Sequence, residues 1–174
     1  MEHVILVDSE NKQVGTMEKL EAHEKGLLHR AFSIFVFNST GEMLIHQRAE
    51  GKYHCGGMWT NAVCSHPRPG ESQSKALQRK MLQEMGFCAD VKKAFDFTYK
   101  AELSNGLVEH EYDEVFYGVY EGELSPNPEE VQNYRYASID EIRKEMNRNP
   151  DLFTPWFIHL FERMCNYYSS LIRA

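Results

Sequence analysis

Two short apolar runs open the chain, HVILVD and QVGTMEKL, on either side of the polar segment SENK. They predict a pair of strands around a turn, with EKLEAHEK continuing as a helical turn or loop. AFSIFVFN is apolar at nearly every position, the pattern of a strand covered on both faces. GEMLIHQR follows across Asn38 to Gly41 as the second arm of a hairpin. From Glu71 to Met85 the residues Ala76, Leu77, Met81, Leu82 and Met85 recur at helical spacing, and Gly86 stands where a helix would stop. FDFTYKAEL and LVEHEYDEVFYGVYEG read as strands separated by SNG, and VQNYRYAS as one more. Ser138 and Glu141 form a capping box that opens IDEIRKEMNR, and TPWFIHLFERMCNYYSSLI is a final amphipathic helix. Strands interleaved with three helices predict an α+β fold, a mixed α/β/α sandwich.

The chain has 174 residues, 42% hydrophobic and 26% charged, without repeats or low-complexity runs, so one domain over residues 1–174 is the expectation. ELSPNPEE at 123 to 130 reads as a surface loop. A net charge of −7 argues against a nucleic-acid partner, which would require a basic face. The longest apolar stretches are too short to cross a bilayer, so no membrane partner is expected. MEHVILVDSE has no secretory pattern and SLIRA no address signal, which makes a cytoplasmic location the expectation. Cys55, Cys64, Cys88 and Cys165 show no C-x-x-C spacing and read as reduced thiols.

The polar residues set within these elements carry the chemistry. Glu109 and Glu111 alternate along a presumed strand and so leave it by one face, either as a solvated charge or as a cation site. His110, between them, points away. In WTNAVCSHP, Cys64 and His66 obey the same rule if the segment is extended. They could be a metal pair, a nucleophile with its base, or the polar end of a buried strand. His23 and His29 precede the first long strand, and each alone reads as a surface histidine. Structural zinc sites usually show short paired ligand spacings, so scattered His and Glu ligands point to a site assembled by tertiary folding.

GESQSKALQRKMLQEMGF, residues 70 to 87, resembles a damaged Nudix box. Glu71, Arg79, Met81, Glu84, Gly86 and Phe87 match, whereas Ser65, Lys80 and Gln83 replace a glycine and two glutamates of that pattern. A Nudix hydrolase needs the carboxylates to hold magnesium, and a lysine in a ligand's place opposes that. Over nearly the whole chain, E-H-V-I-L-V, H-R-A-F-S, W-T-N-A-V-C-S-H-P, G-E-S, Y-K-A, V-E-H-E and T-P-W follow in one order. In that order the chain resembles the type I isopentenyl diphosphate isomerases.

The resemblance implies a Nudix-type fold with additional N-terminal strands and a C-terminal helix. It also implies conversion of isopentenyl diphosphate to dimethylallyl diphosphate, with a small-molecule diphosphate as partner and a monomer or weak dimer as assembly. Carried over, the metal ligands fall on His23, His29, His66, Glu109 and Glu111, for Mn2+, Zn2+ or Mg2+. Glu84 falls on the ligand of a Mg2+ that also binds the diphosphate. The catalytic residues fall on Cys64, Glu111, Tyr99 and Trp156, and the diphosphate cations on Lys19, Arg48, Lys52 and Lys80, with Arg79 a further candidate. Moving the double bond adds a proton at one carbon and removes one from another. Because an ordinary thiol is a weak acid, first protonation goes to Glu111, under the control of Tyr99, and proton removal to the Cys64 thiolate. Trp156 offers a cationic intermediate its ring face, worth roughly 2 kcal/mol when desolvated. The chain departs from the family pattern at YHCGGMW, where Cys55 and Gly56 replace an aromatic and a proline, and a looser loop is expected there. A pyrophosphohydrolase and a silent diphosphate binder are the competing readings.

Overall fold

A computed structural model describes residues 2–103 and 105–172. The opening runs pair antiparallel as β1 (His3–Val7) and β2 (Gln13–Glu18), and EKLEAHEK resolves into a helix, α1 (Lys19–Lys25). Glu18 caps α1 by accepting the Glu21 N–H, and Gly26 ends it at φ 61°. β3 (His29–Phe37) and β4 (Met43–Arg48) form the expected hairpin. WTNAVCSHP is not one strand. It gives β5 (Trp59–Asn61) and β6 (Val63–Ser65), two short strands on different partners.

The helical segment forms as α2 (Gln73–Lys80), capped by Ser72, and runs on into a π-helical turn at Met81–Met85. Gly86 closes it at φ 68°, where a Cβ would meet the Ser125 carbonyl oxygen at 2.2 Å, so only glycine fits. β7 (Val91–Glu102) and β8 (Val108–Val119) pair antiparallel, and Ser104 of the expected turn lies outside the described residues. β9 (Val131–Ala137), α3 (Ile139–Arg148) with its capping box, and α4 (Pro155–Ile172) complete the order. Among the described residues no helix is long and apolar enough to cross a membrane.

β3 organises the molecule. It pairs antiparallel with β1, β4 and β6 along different stretches and in parallel with β8 along its whole length. Its alternation feeds two cores. Phe32, Ile34 and Val36 pack with Ala76, Leu77 and Met81 of the α2 side, while Phe35 and Phe37 pack with Trp156, Phe157 and Phe161 of α4. This is the α/β/α arrangement the sequence predicts, with α1 as an additional fourth helix. β8 has one buried face whose character changes along the strand. Glu109, Glu111 and Asp113 point inward near its start and Val115 follows on the same face.

α2 is tied to the site by Arg79. Its guanidinium donates to both Glu71 oxygens at 2.7 Å and to the His66 carbonyl at 3.3 Å. The Arg79 hydrogen bond holds the Glu71 carboxyl down at about 2. A carboxyl depressed in the folded state stabilises above its unfolded value, near 4.5, and that contribution is lost as pH falls towards 2. Arg79→Ala should therefore cost about 1–2 kcal/mol at neutral pH. It should also flatten the fall in unfolding temperature between pH 4.5 and 2. Thermal unfolding across that window checks both, and parallel curves for the two proteins would count against the pair.

Candidate active site

The two histidines that read singly as surface residues are both fully buried. His23 and His29 each direct Nδ1 at a backbone carbonyl, Lys19 at 2.7 Å and Leu27 at 2.8 Å. A carbonyl only accepts, so each ring carries a proton on Nδ1 and turns Nε2 inward. Neither Nε2 has a hydrogen-bond partner among the described residues. One donor atom from each of His23, His29, His66 and Glu111 lies within 4.8 Å of the others, and His23, His54 and Glu109 form a second such group. Buried, unpartnered nitrogens converging on carboxylates are what a divalent ion requires.

The carboxylates are shared among these rings. Glu111 Oε1 lies 2.8 Å from His66 Nε2 and 3.6 Å from His29 Nε2, and Glu109 Oε2 lies 3.7 Å from His23 Nε2. The Tyr99 hydroxyl donates to Glu111 at 2.9 Å and to Glu109 at 3.3 Å. Burial and the two carboxylate charges push the Tyr99 phenol well above its ordinary value, so it keeps its proton. Burial, followed by the charges of His29 and His23, pushes His66 well down and keeps it a neutral imidazole, the form that binds metal. For Glu111 burial pushes up, but the His29 imidazole facing it at 3.6 Å, with His23 behind it, outweighs that and holds the carboxyl at about 2.

Cys64 sits across β3 from Glu111. β6 pairs Cys64 with Ser33, and β8, on the other side of β3, pairs Glu111 with His29. The thiol donates to Asn61 Oδ1 at 2.9 Å and accepts from Trp156 Nε1 at 3.1 Å. Asn61 is fixed in turn by donating to the carbonyls of Ile34 and Val63. Ser33 approaches the sulfur at 3.9 Å and donates to Asp113 at 2.7 Å. Burial, with the nearby Asp113 carboxyl, pushes the thiol up to about 12. The Asp113 carboxyl is itself pushed well up, by burial and then by the Glu111 charge.

One cleft, with about 480 Å3 of empty space including its open mouth, is lined by Cys64, Glu111, Tyr99, Trp156, His66 and Glu109. The four candidate cations line it too, together with Glu84. Lys19 pairs with Glu2 and Lys80 with Glu84, at 2.7 and 2.8 Å, and Lys52 pairs with Glu130. Arg48 is buried without a carboxylate partner among the described residues; its guanidinium carbon lies 5.4 Å from the Trp156 ring centre. Arg79 is committed to Glu71. His110 bonds the Gly26 carbonyl, away from the carboxylates on either side of it.

Sequence reasoning missed Asp113, which the β8 alternation that grouped Glu109 with Glu111 would have included. It also missed Asn61, Ser33 and His54, for which no periodic signal exists. His54 Nε2 lies 2.9 Å from Glu109 Oε1. The loop bearing it is closed on itself: Gly57 N–H donates to the Arg48 carbonyl, and a Cβ at Gly56 would meet the Glu50 carbonyl at 2.5 Å.

A NUDIX domain family model matches residues 27–157. The chain is 47% identical over 167 residues to the isopentenyl-diphosphate Delta-isomerase of Pectobacterium atrosepticum, covering 96% of this chain and 93% of that one. It is 40% identical to isopentenyl-diphosphate Delta-isomerase 2 of Aromatoleum aromaticum, over 94% and 86% of the two chains. Among solved structures, the Deinococcus radiodurans protein DR0079 superposes with a TM-score of 0.77 at 16% identity, over 93% of this chain and 98% of that one. The MutT protein of Methanosarcina mazei Go1 superposes with a TM-score of 0.66 at 18% identity, over 80% and 94%.

Proposed function

This chain belongs to the isopentenyl-diphosphate Delta-isomerase family of NUDIX domain proteins, and on that premise we propose that Cys64 and Glu111 are the two groups that move its protons. The protein is an isomerase that interconverts isopentenyl and dimethylallyl diphosphate. The observation that carries the residue assignment is the placement of a thiol and a carboxylate on opposite sides of β3, both lining one cleft with Trp156. A double-bond shift needs an acid and a base on either side of the substrate, and few other groups there qualify.

In the proposed order Glu111 protonates the terminal carbon, with Tyr99 holding its carboxylate by a hydrogen bond, and Cys64 takes the proton from the neighbouring methylene. Trp156 presents its ring to the cationic intermediate while its N–H stays on the Cys64 sulfur. In the resting protein the proton of the pair sits on Cys64, because burial favours the thiol and Glu111 is ionised. That distribution is the one forward turnover leaves behind, so each forward turnover requires a proton to pass from Cys64 to Glu111 by way of solvent.

His23, His29, His66, Glu109 and Glu111 would hold a divalent ion, Mn2+, Zn2+ or Mg2+, and Glu84 a Mg2+ shared with the diphosphate. When bound, the first ion supplies positive charge that holds Glu111 in place. Lys19, Arg48, Lys52 and Lys80 face the diphosphate. Three of them are already paired with acids, so substrate must displace those partners, and Arg48 alone of the four has no carboxylate partner among the described residues. The enzyme is read as one domain over residues 1–174, acting in the cytoplasm as a monomer or weak dimer.

The hydrolase reading is disfavoured because only Glu84 of the Nudix-like glutamates faces the cleft, whereas Glu71 is spent on Arg79. Incubating the metal-loaded protein with isopentenyl diphosphate in deuterated water tests the assignment. Dimethylallyl diphosphate carrying deuterium is expected. Released phosphate would show hydrolysis instead, and unchanged substrate would leave only binding.

A further inference from the structure

His54 plays no part in the site as carried over by resemblance, yet it is buried against it. We infer that His54 is a positioning residue for the metal site, presetting Glu109 by donating Nε2–H to its Oε1 oxygen. The two atoms lie 2.9 Å apart, and Glu109 Oε2 is the oxygen turned towards His23 and the Tyr99 hydroxyl. This inference rests on the reading of Glu109 as a ligand.

The geometry of His54 is the reverse of that in the two histidines best suited to bind an ion. His23 and His29 spend Nδ1 on a carbonyl and leave Nε2 bare, whereas His54 spends Nε2 on the carboxylate and leaves Nδ1 without a partner among the described residues. An ionised carboxylate only accepts, so the His54 proton lies on Nε2, as the His66 proton does against Glu111 before an ion enters. The ring is held from several sides. It stands edge-on to Trp156 at 5.7 Å and to Tyr53 at 4.2 Å between ring centres. Its carbonyl accepts Arg48 Nη2 at 3.2 Å. A rigid donor on the far oxygen removes the rotational freedom Glu109 would otherwise lose on meeting an ion. Through the same ring, the metal carboxylate is packed against Trp156 in the cleft.

Mn2+ binding to the chelator-stripped full chain, followed by calorimetry, tests this without recourse to turnover. Replacing such a supporting partner typically weakens metal affinity about 10–100-fold. His54→Ala is expected to show that loss with the number of ions per chain unchanged, and His54→Gln, which keeps an N–H donor, to recover most of it. Unchanged affinity in His54→Ala overturns the inference. So does a glutamine variant no better than alanine, and so does loss of one whole ion per chain, which would make His54 a ligand of a second ion. If the unsubstituted protein binds no Mn2+, the metal reading itself falls and takes this inference with it. Equal binding by the unsubstituted chain and His54→Ala removes only the role of His54.

Discussion

Cys64→Ala and Glu111→Gln are each expected to lower kcat for isopentenyl diphosphate isomerisation by about 10²–10⁴-fold, the usual worth of one positioned proton-transfer group. No neighbour can take over either role. Tyr99 is held protonated, His66 is kept neutral while bonded to Glu111, and Lys80 is paired with Glu84. The cysteine variant should still fold, because removing the sulfur strands no buried donor. Trp156 Nε1 keeps Thr60 Oγ1 at 2.9 Å, and Asn61 Oδ1 keeps the Thr60 hydroxyl at 3.1 Å. Glu111→Gln removes a proposed ligand as well as a proton carrier, so its kcat must be read at saturating ion, with KM reported separately. Steady-state assays with product quantification suffice. Turnover within about tenfold of the unsubstituted protein for either variant would sink the assignment, since a true acid or base is worth at least about 10²-fold.

Stripping the ion with a chelator is expected to abolish isomerisation and to lower the unfolding temperature sharply. Without an ion, the Nε2 atoms of His23 and His29 are buried with no partner among the described residues. Each such atom carries a desolvation cost of about 1–3 kcal/mol. An ion present at about 1,000 times its Kd stabilises the folded chain by about 4 kcal/mol. For a chain of this size that corresponds to about 8–16 °C in Tm. Differential scanning calorimetry of stripped and Mn2+-reloaded protein measures the shift, and the same samples report whether activity returns. A stripped protein with unaltered Tm and full turnover would mean that the His and Glu cluster is a hydrogen-bonded core rather than a metal centre.

Much of this site is legible along the chain, for an identifiable reason. Strand alternation puts Glu109 and Glu111 on one face from their spacing alone, and the face is indeed inward. The same rule aims Cys64 and His66 into one cleft, although His66 stands one residue beyond the end of β6. His23 and His29 could not be read this way. Their partners lie on a helix, a strand start and a strand some eighty residues on, and only the parallel pairing of His29 with Glu111 brings them together. Carrying the family's pattern over supplied them, where local physics left each as a surface histidine. His54 escaped both routes, since it lies in a loop with no period and outside the motifs.

The sequence by itself determined the elements and their order. Apolar period, capping residues and the stop at Gly86 are local properties, and the observed strands and helices follow them closely. It also determined the chemical inventory, a thiol, paired carboxylates, imidazoles and scattered cations in an acidic chain. Only the tertiary structure decided which members of that inventory meet. β3 takes β6 on one side and β8 on the other, and this places Cys64 and Glu111 across a shared cavity. It also decided what state those groups rest in. Protonation depends on burial and on neighbouring charge, and both arise only when segments distant in sequence are packed together.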